Sequence, residues 1–266
     1  MAIQDLFGKE LQVINIGLTS FKENLEKSRI KTVQVDWRPP VKVAPEAVKI
    51  IQKMFPTIDQ ANQKALEIIL KGKPSLVGLG RALDEIPGMK KNLILHSGPP
   101  VTWERMCGPT RGAIMGALMY EKLAATPEEA EKLAASGAIA YAPCHEHATV
   151  GPMAGIVSPS MPVFIIKNEE YGNYAYCTMN EGLGKVLRYG AFSKEVIDKL
   201  RWMEAVLYPT LKRALDKVGK IDLKNLIAQA LHMGDEVHNR NRAGTSLFYR
   251  QIAPAVVTTA DNPQTA

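Results

Sequence analysis

The amino-acid sequence predicts an α/β protein with a Rossmann-like β-α-β portion, a further α/β segment and a mainly α-helical C-terminal portion. Three observations predict this order. Residues 11–36 have the pattern of strand, helix and strand, residues 91–180 alternate apolar runs with helical spacing, and residues after 184 keep helical spacing nearly throughout. We expect a Rossmann-like α/β domain over 1–100 and a second domain over 101–266, in which an α/β segment precedes the helices.

The first β-α-β unit carries a candidate ligand crevice. Gly17 would end the first strand, and Asp36 would end the second strand nineteen residues later, where dinucleotide-binding folds place an acid against a ribose hydroxyl. The second and third glycines of the G-x-G-x-x-G fingerprint are missing, because Gly17 is followed by LTSFKE. A scaffold turn or a crevice for another ligand fits better, and dinucleotide or coenzyme A binding stays open.

The remaining elements follow from apolar spacing and from Gly and Pro positions. Residues 43–72 predict two helices interrupted at Pro56. In chain order, the later elements are a strand ending at His96-Ser97-Gly98, helices over 111–124 and 127–135, strands AIAYAP, PVFIIKN and YAYCTMN, and helices over 193–218 and 222–251.

Composition narrows the class of protein. The chain has 266 residues, of which 46% are hydrophobic, 6% are aromatic and 23% are charged, and its net charge is +6. No apolar run reaches the roughly 18 residues that a membrane span needs, and few aromatics interleave with the basic residues, which disfavours nucleic-acid binding. Three cysteines and a start without a secretory signal predict a cytoplasmic protein. A small acidic ligand suits this charge balance.

A short pattern, G-P-x-x-G-x-[IV], occurs at 108–114 and again at 151–157. Proline is favoured in the first turn of a helix, so both copies predict a helix start. The first copy also carries Arg111, whose guanidinium would stand beside free backbone amides together with Gly108 and Thr110. An anion cradle and close helix packing both fit the pattern.

The segment Cys144-His145-Glu146-His147 follows a predicted strand directly, and loops at strand ends are where sites are commonly built. We favour His145 and His147 as general acid, base or carbonyl-polarising groups. A zinc site completed by His232 or His238, a Cys nucleophile and a structural role stay open. No metal and no cofactor is expected.

Residues 231–246, LHMGDEVHNRNRAGTS, are unusually polar for a predicted apolar helix. Helical spacing would put His232, Asp235, Glu236 and Asn239 on one face. A substrate-binding face would use His238, Asn239, Arg240 and Arg242, since guanidinium groups suit carboxylates and phosphates. A solvated or intersubunit face fits equally well. Asn180-Glu181-Gly182 forms a third polar loop at a strand end.

Five long blocks carry a family resemblance: VINIG…VQVDWRPP, MCGPTRGAIMGALMYE, PCHEHATVGPMAGIVSPSMPVF, YCTMNEGLGKVLRYGAFS and QALHMGDEVHNRNRAGTSLFYRQIAPA. Through them the chain resembles the YlbE-like family of bacterial proteins, which includes the AllG-type subunit of oxamate carbamoyltransferase. Members of that family are longer, so we expect this chain to be truncated relative to the family or a short paralogue.

The resemblance implies a carbamoyltransferase subunit that helps convert oxalurate and phosphate to oxamate and carbamoyl phosphate in allantoin breakdown. It also implies an FdrA-type partner, a third subunit and an oligomeric assembly. Under this hypothesis Arg111 and the amides at 108–112 hold phosphate or the oxyanion, His145 or His147 moves the proton, and Arg240 and Arg242 hold the carboxylate. A non-catalytic scaffold subunit and a zinc-dependent amide hydrolase are the alternatives.

Overall fold

A computed structural model describes residues 10–38, 44–151, 155–179, 181–182, 184–238 and 241–261. The chain forms two compact units, residues 1–66 and residues 67–266. Helices and strands both contribute, and helices dominate towards the C-terminus, which confirms the α/β class.

In the described residues, the helices are α1 (Thr19–Lys27), α2 (Pro45–Lys71), α3 (Ala82–Glu85), α4 (Gly108–Tyr120), α5 (Pro127–Ala135), α6 (Lys194–Trp202), α7 (Tyr208–Val218), α8 (Leu223–His232) and α9 (Arg242–Thr259). The strands are β1 (Gln12–Ile16), β2 (Lys31–Val35), β3 (Pro74–Arg81), β4 (Leu93–His96), β5 (Ala140–Pro143), β6 (Thr149–Val150), β7 (Ile156–Val157), β8 (Pro162–Asn168), β9 (Tyr174–Thr178) and β10 (Ile221–Asp222). A π-helical turn joins α6 to α7.

The N-terminal unit confirms the predicted β-α-β arrangement. Strands β1 and β2 are parallel, with Gln12 opposite Lys31 and Ile16 opposite Val35, and α1 connects them. At the carboxyl ends of the strands, Asn15 donates to the Gln34 side chain at 2.6 Å, and Gln34 donates to the Gly17 carbonyl at 3.1 Å. These hydrogen bonds therefore lie at the position of the candidate ligand crevice.

The second unit contains two sheets. Five strands follow the order β10-β3-β8-β9-β6, in which only the β6–β9 pair is parallel. The other sheet has the order β5-β4-β7, with β4 parallel to β5 and antiparallel to β7.

Side chains alternate across β4 and divide the core. Leu93 and Leu95 pack with buried Cys144 in one hydrophobic cluster, whereas Ile94 packs with α4 and Ile156 in the other.

In the N-terminal half, one prediction is wrong and one strand is missing from the predicted elements. Residues 45–71 form the single helix α2, which continues through Pro56, because an internal proline removes one amide hydrogen bond and bends a helix more readily than it ends one. Strand β3 was not predicted, since Gly78 and Gly80 interrupt its apolar pattern.

Two further predictions fail in the C-terminal half. The polar segment 231–246 is not one helix, because α8 ends at His232, Gly234 adopts a positive φ of 80°, and α9 begins only at Arg242. The second Gly-Pro pattern does not end in a helix, since its last two residues, Ile156–Val157, form strand β7. Residues 152–154 of that pattern lie outside the described part of the chain.

Candidate functional site

The first Gly-Pro pattern does begin a helix. Cys107 precedes the first turn of α4, Pro109 lies within that turn, and the Arg111 amide donates to the Cys107 carbonyl at 3.0 Å. The exposed Cys107 thiol lies 3.2 Å from the Thr110 hydroxyl. Hydrogen bonds from the Thr110 hydroxyl and the Thr110 backbone amide hold the pKa of Cys107 below its usual value.

Two glycines bring the main chain of the Leu187–Tyr189 turn against α4. A Cβ atom on Gly112 would lie 2.3 Å from the Gly190 carbonyl oxygen, and one on Gly190 would lie 2.7 Å from the Cα of Pro109. Gly190 has a φ of 84°, which also favours glycine. The turn can therefore touch the start of α4 only because both positions lack side chains.

This turn carries a buried ion pair. Arg188 and Glu181 are each more than nine-tenths buried, and Arg188 Nη1 lies 3.5 Å from Glu181 Oε2. Arg188 Nη2 donates to the Gly182 carbonyl at 2.8 Å, and the guanidinium lies 4.7 Å from the centre of the Tyr189 ring. A guanidinium and a carboxylate are thus held together away from bulk water.

Arg188 and Glu181 line a cavity of about 30 Å³, which is the space of one or two water molecules, so a larger ligand would require the cavity to widen. Its other walls are mainly apolar side chains from α4, α6, β8 and the residues around β7 and β9, namely Tyr120, Gly155, Ile156, Met161, Pro162, Thr178, Met179, Leu187, Leu200 and Met203. We call the start of α4, Gly155–Ile156 and the residues Glu181, Gly182 and 187–190 the α4 cleft.

Tyr120 and Glu121, at the C-terminal end of α4, bond to segments that neighbour the cavity. The Tyr120 hydroxyl lies 2.9 Å from a Glu204 carboxylate oxygen, and burial together with that carboxylate raises the pKa of Tyr120. Glu121 accepts hydrogen bonds from the Ser158 hydroxyl, the Ser160 amide and the Ser160 hydroxyl at 2.6–2.8 Å. The segment that leads into β8 is therefore held by one carboxylate.

Arg111 lies beside the α4 cleft but points back along the chain. Its Nε donates to the Trp103 carbonyl at 3.1 Å, its Nη2 donates to the Glu104 carbonyl at 2.6 Å, and its guanidinium lies over the Trp103 ring. These contacts anchor the turn at Trp103–Arg105, so the Nε and Nη2 donors of the guanidinium are occupied by main-chain oxygens.

The Cys144–His147 segment forms a separate 3₁₀ turn. His147 donates from Nδ1 to the Pro87 carbonyl at 2.7 Å, and His145 is exposed. Cys144 is buried, and burial raises its pKa to about 12. Because Cys144 packs in the cluster with Leu93 and Leu95, this turn lies towards the sheet face opposite α4.

Asp235 follows α8 and caps the first turn of α9. Asp235 accepts hydrogen bonds from the amides of Val237, Ala243 and Gly244, and these bonds lower the pKa of its carboxyl, with Val237 contributing most. His238 and Arg242, the first residue of α9, are exposed. Asn239 and Arg240, like Asn180, lie outside the described residues.

The structure therefore brings together part of the predicted set. Glu181 lines the cavity beside Arg188, whereas Gly108, Thr110 and Arg111 lie in the first turn of α4. That turn touches the 187–190 turn through Pro109 and Gly112, which contact Gly190. Within the described residues, no contact joins His145, His147, His238 or Arg242 to the cleft. Sequence reasoning missed Arg188, and its signal was a single arginine within the apolar stretch VLRYG that ends in glycine.

In the part of the chain that the structure describes, no group of three or more His, Cys, Asp or Glu side chains is placed to hold a metal ion. Among the same residues, no helix combines the length and apolar character that crossing a membrane requires.

The chain is similar to one described protein family and to two Escherichia coli proteins. Residues 139–266 match the model of a protein family described as oxamate carbamoyltransferase subunit AllG. The chain is 47% identical over 259 residues to the Escherichia coli K12 protein described as uncharacterized protein YahG, covering 96% of this chain and 55% of that protein. It is 40% identical over 205 residues to oxamate carbamoyltransferase subunit AllG of the same strain, covering 76% of this chain and 49% of that protein.

A solved structure is also similar. The crystal structure of a conserved protein of unknown function from Enterococcus faecalis V583 matches with a TM-score of 0.77 and 48% identity, over 79% of this chain and 51% of that chain. The chain spans about half the length of the relatives it matches. Together these matches support an AllG-type family, whereas the YlbE-like label stays a prediction.

Proposed function

We propose that this chain is part of an AllG-type subunit of a carbamoyltransferase, and that its α4 cleft binds the small anionic substrate. The observation that carries the proposal is the buried Arg188 guanidinium, which faces a small cavity within the part of the chain that matches the AllG family model. A buried cation with a planar set of donors suits a carboxylate or a phosphate.

The proposed reaction is the conversion of oxalurate and phosphate to oxamate and carbamoyl phosphate. A phosphate oxygen attacks the terminal carbamoyl carbon of oxalurate, the bond from that carbon to the oxamate nitrogen breaks, and the proton from hydrogen phosphate ends on the released nitrogen. The site must supply donors for the developing oxyanion, a cation for the substrate charge, and a path for that proton.

The α4 cleft offers the first two of these. Arg188 would hold the substrate charge, Glu181 would fix the orientation of Arg188, and Thr110 with the backbone at Gly108 would donate to substrate oxygens. Arg111 would support this arrangement through its contacts with Trp103 and Glu104.

The other expected roles stay proposals. His145 or His147 would move the proton, and Asn180, His238, Asn239, Arg240 and Arg242 would bind substrate. Since the described contacts keep His147 at Pro87, we expect these roles to require rearrangement or a partner subunit. An FdrA-type partner, a third subunit and a cytoplasmic location are likewise part of the proposal.

The test uses the full-length protein co-purified with its partner subunits. Arg188→Met should lower kcat/KM for carbamoyl phosphate formation from oxalurate by about a hundredfold, which corresponds to a loss of about 3 kcal/mol of transition-state stabilisation. Arg201→Met, an exposed arginine on α6, is the matched control and should leave the rate unchanged. A folded Arg188→Met enzyme with wild-type kinetics would contradict the role of the α4 cleft.

A further inference from the structure

His96 is a buried histidine that the proposed reaction has not used. It ends β4, the central strand of the three-stranded sheet, and its exposed fraction is 1%. Pro143 of β5 lies opposite it on one side and Ile156 of β7 lies opposite it on the other. Its position is therefore fixed by strands on both sides.

The hydrogen bonds of His96 define which ring nitrogen carries hydrogen. Nδ1 lies 2.9 Å from the Ser97 carbonyl oxygen, and since a carbonyl only accepts, Nδ1 is the donor. The neutral ring then presents Nε2 as an acceptor. Nε2 is buried and has no hydrogen-bond partner among the residues that the structure describes. Such a group is rare in folded proteins because its desolvation is uncompensated.

The strand register shows which face of the sheet carries the His96 side chain. Residues opposite each other in an antiparallel pair share a face of the sheet, so His96 lies on the same face as Ile156. Ile156 packs with α4 and lines the cavity, and Gly155, another wall of the cavity, accepts a hydrogen bond from the Ser97 amide at 3.1 Å. His96 therefore lies on the face of the sheet that packs towards α4, beside Ile156 and Gly155, which line the cavity.

We propose that Nε2 of His96 accepts a hydrogen bond from an N–H group of a small primary amide bound at the α4 cleft. The inference rests on the proposed function and names the part of the substrate that this residue reads. An amide presents an oxygen, which Arg188 can serve, and an N–H group, which needs an acceptor. A carboxylate of the same shape has no N–H to offer, so His96 would make the cleft selective for amides.

Oxamate and oxalate form a matched pair of probes, since they differ by an amide group in place of a carboxylate. We expect the wild-type full-length protein to bind oxamate about tenfold more tightly than oxalate, measured by titration calorimetry. His96→Asn can keep the bond to the Ser97 carbonyl but lacks the second ring nitrogen, so the ratio of the two affinities should fall about tenfold. Comparing ratios removes the effect of the different ligand charges.

Imidazole ¹⁵N NMR on the wild-type protein gives a second measurement that does not depend on the variant folding. Oxamate should shift the Nε2 resonance of His96, and oxalate should not. An unchanged resonance, or an affinity ratio that His96→Asn leaves unchanged, would overturn the inference, as would the absence of binding by both ligands. Carbamoyl phosphate formation by the wild-type assembly tests the proposed function separately, so the two can fail independently.

Discussion

The α4 cleft and the Cys144–His147 turn place the same residue type in opposite environments. Each contains a cysteine at the start of a helical turn that follows extended chain. Cys107 is exposed, and its pKa is lowered by the hydroxyl and amide of Thr110, whereas Cys144 is buried and its pKa is raised to about 12. Packing and hydrogen bonding, more than residue type, therefore set the pKa of each thiol.

The charged and histidine side chains of the two regions differ in the opposite way. The turn has two histidines in sequence, but one is exposed and the other donates to the Pro87 carbonyl. The α4 cleft has a less conspicuous sequence, yet it encloses the Arg188–Glu181 pair and a cavity. The histidines of the Cys144–His147 turn are therefore less enclosed than the Arg188–Glu181 pair.

Removal of the buried cation, Arg188, should have the largest effect on the stability of the α4 cleft. Arg188→Met leaves Glu181 buried without its partner, and we expect a loss of about 3–5 kcal/mol in the free energy of unfolding, measured with urea. The exposed Lys212–Asp216 pair, at 3.2 Å, is the control, and Lys212→Met should cost less than about 1 kcal/mol. Adding Glu181→Gln to Arg188→Met should recover part of the loss. Equal losses for Arg188→Met and Lys212→Met would mean that the cleft is not a dry site.

Disturbing the contact between Gly112 and Gly190 should have a second, smaller effect on the free energy of unfolding. Gly112→Ala places a methyl group against the Gly190 carbonyl, and we expect a loss of about 1–3 kcal/mol from overpacking. Gly108→Ala, in the same helix but with open space around its Cβ position, should be neutral or slightly stabilising. The measurement is urea unfolding of both variants, and similar stabilities would show that the turn is not held against the helix.

The smallest expected effect is a difference in alkylation rate between Cys107 and Cys144. Because a lowered pKa increases the thiolate fraction at a given pH, iodoacetamide should label Cys107 faster than Cys144, and the pH profile of Cys107 should reach its plateau earlier. Peptide mass spectrometry after short labelling follows each cysteine separately. Thr110→Val removes one hydrogen bond to Cys107 and should shift its profile towards higher pH. Faster labelling of Cys144 would reverse the comparison.

Local patterns allowed much of the fold to be predicted. The β-α-β unit, α5 over 127–135 and the start of α4 follow from spacing and from proline positions, which act over a few residues. Strand β3 and the break between α8 and α9 could not be found this way. The first depends on pairing with the distant strand β8, and the second depends on Asp235 accepting from amides up to nine residues away.

The candidate site was less predictable for the same reason. Glu181 could be selected because polar residues after a strand commonly face a site. Arg188 and His96 could not, since the first becomes notable only through its burial and the second only through an acceptor that strand pairing leaves without a partner. Both properties arise from tertiary packing, which spacing along the chain does not reveal.

The direct main-chain contact between Gly112 and Gly190 links the motions of two segments. The Gly190 amide donates to the Leu187 carbonyl at 2.7 Å, and the turn that contains this bond cannot open without leaving the helix surface. In amide hydrogen exchange the 187–190 turn should therefore open in step with the first half of α4, as one cooperative unit. A ligand that slows exchange in one segment would slow it in the other.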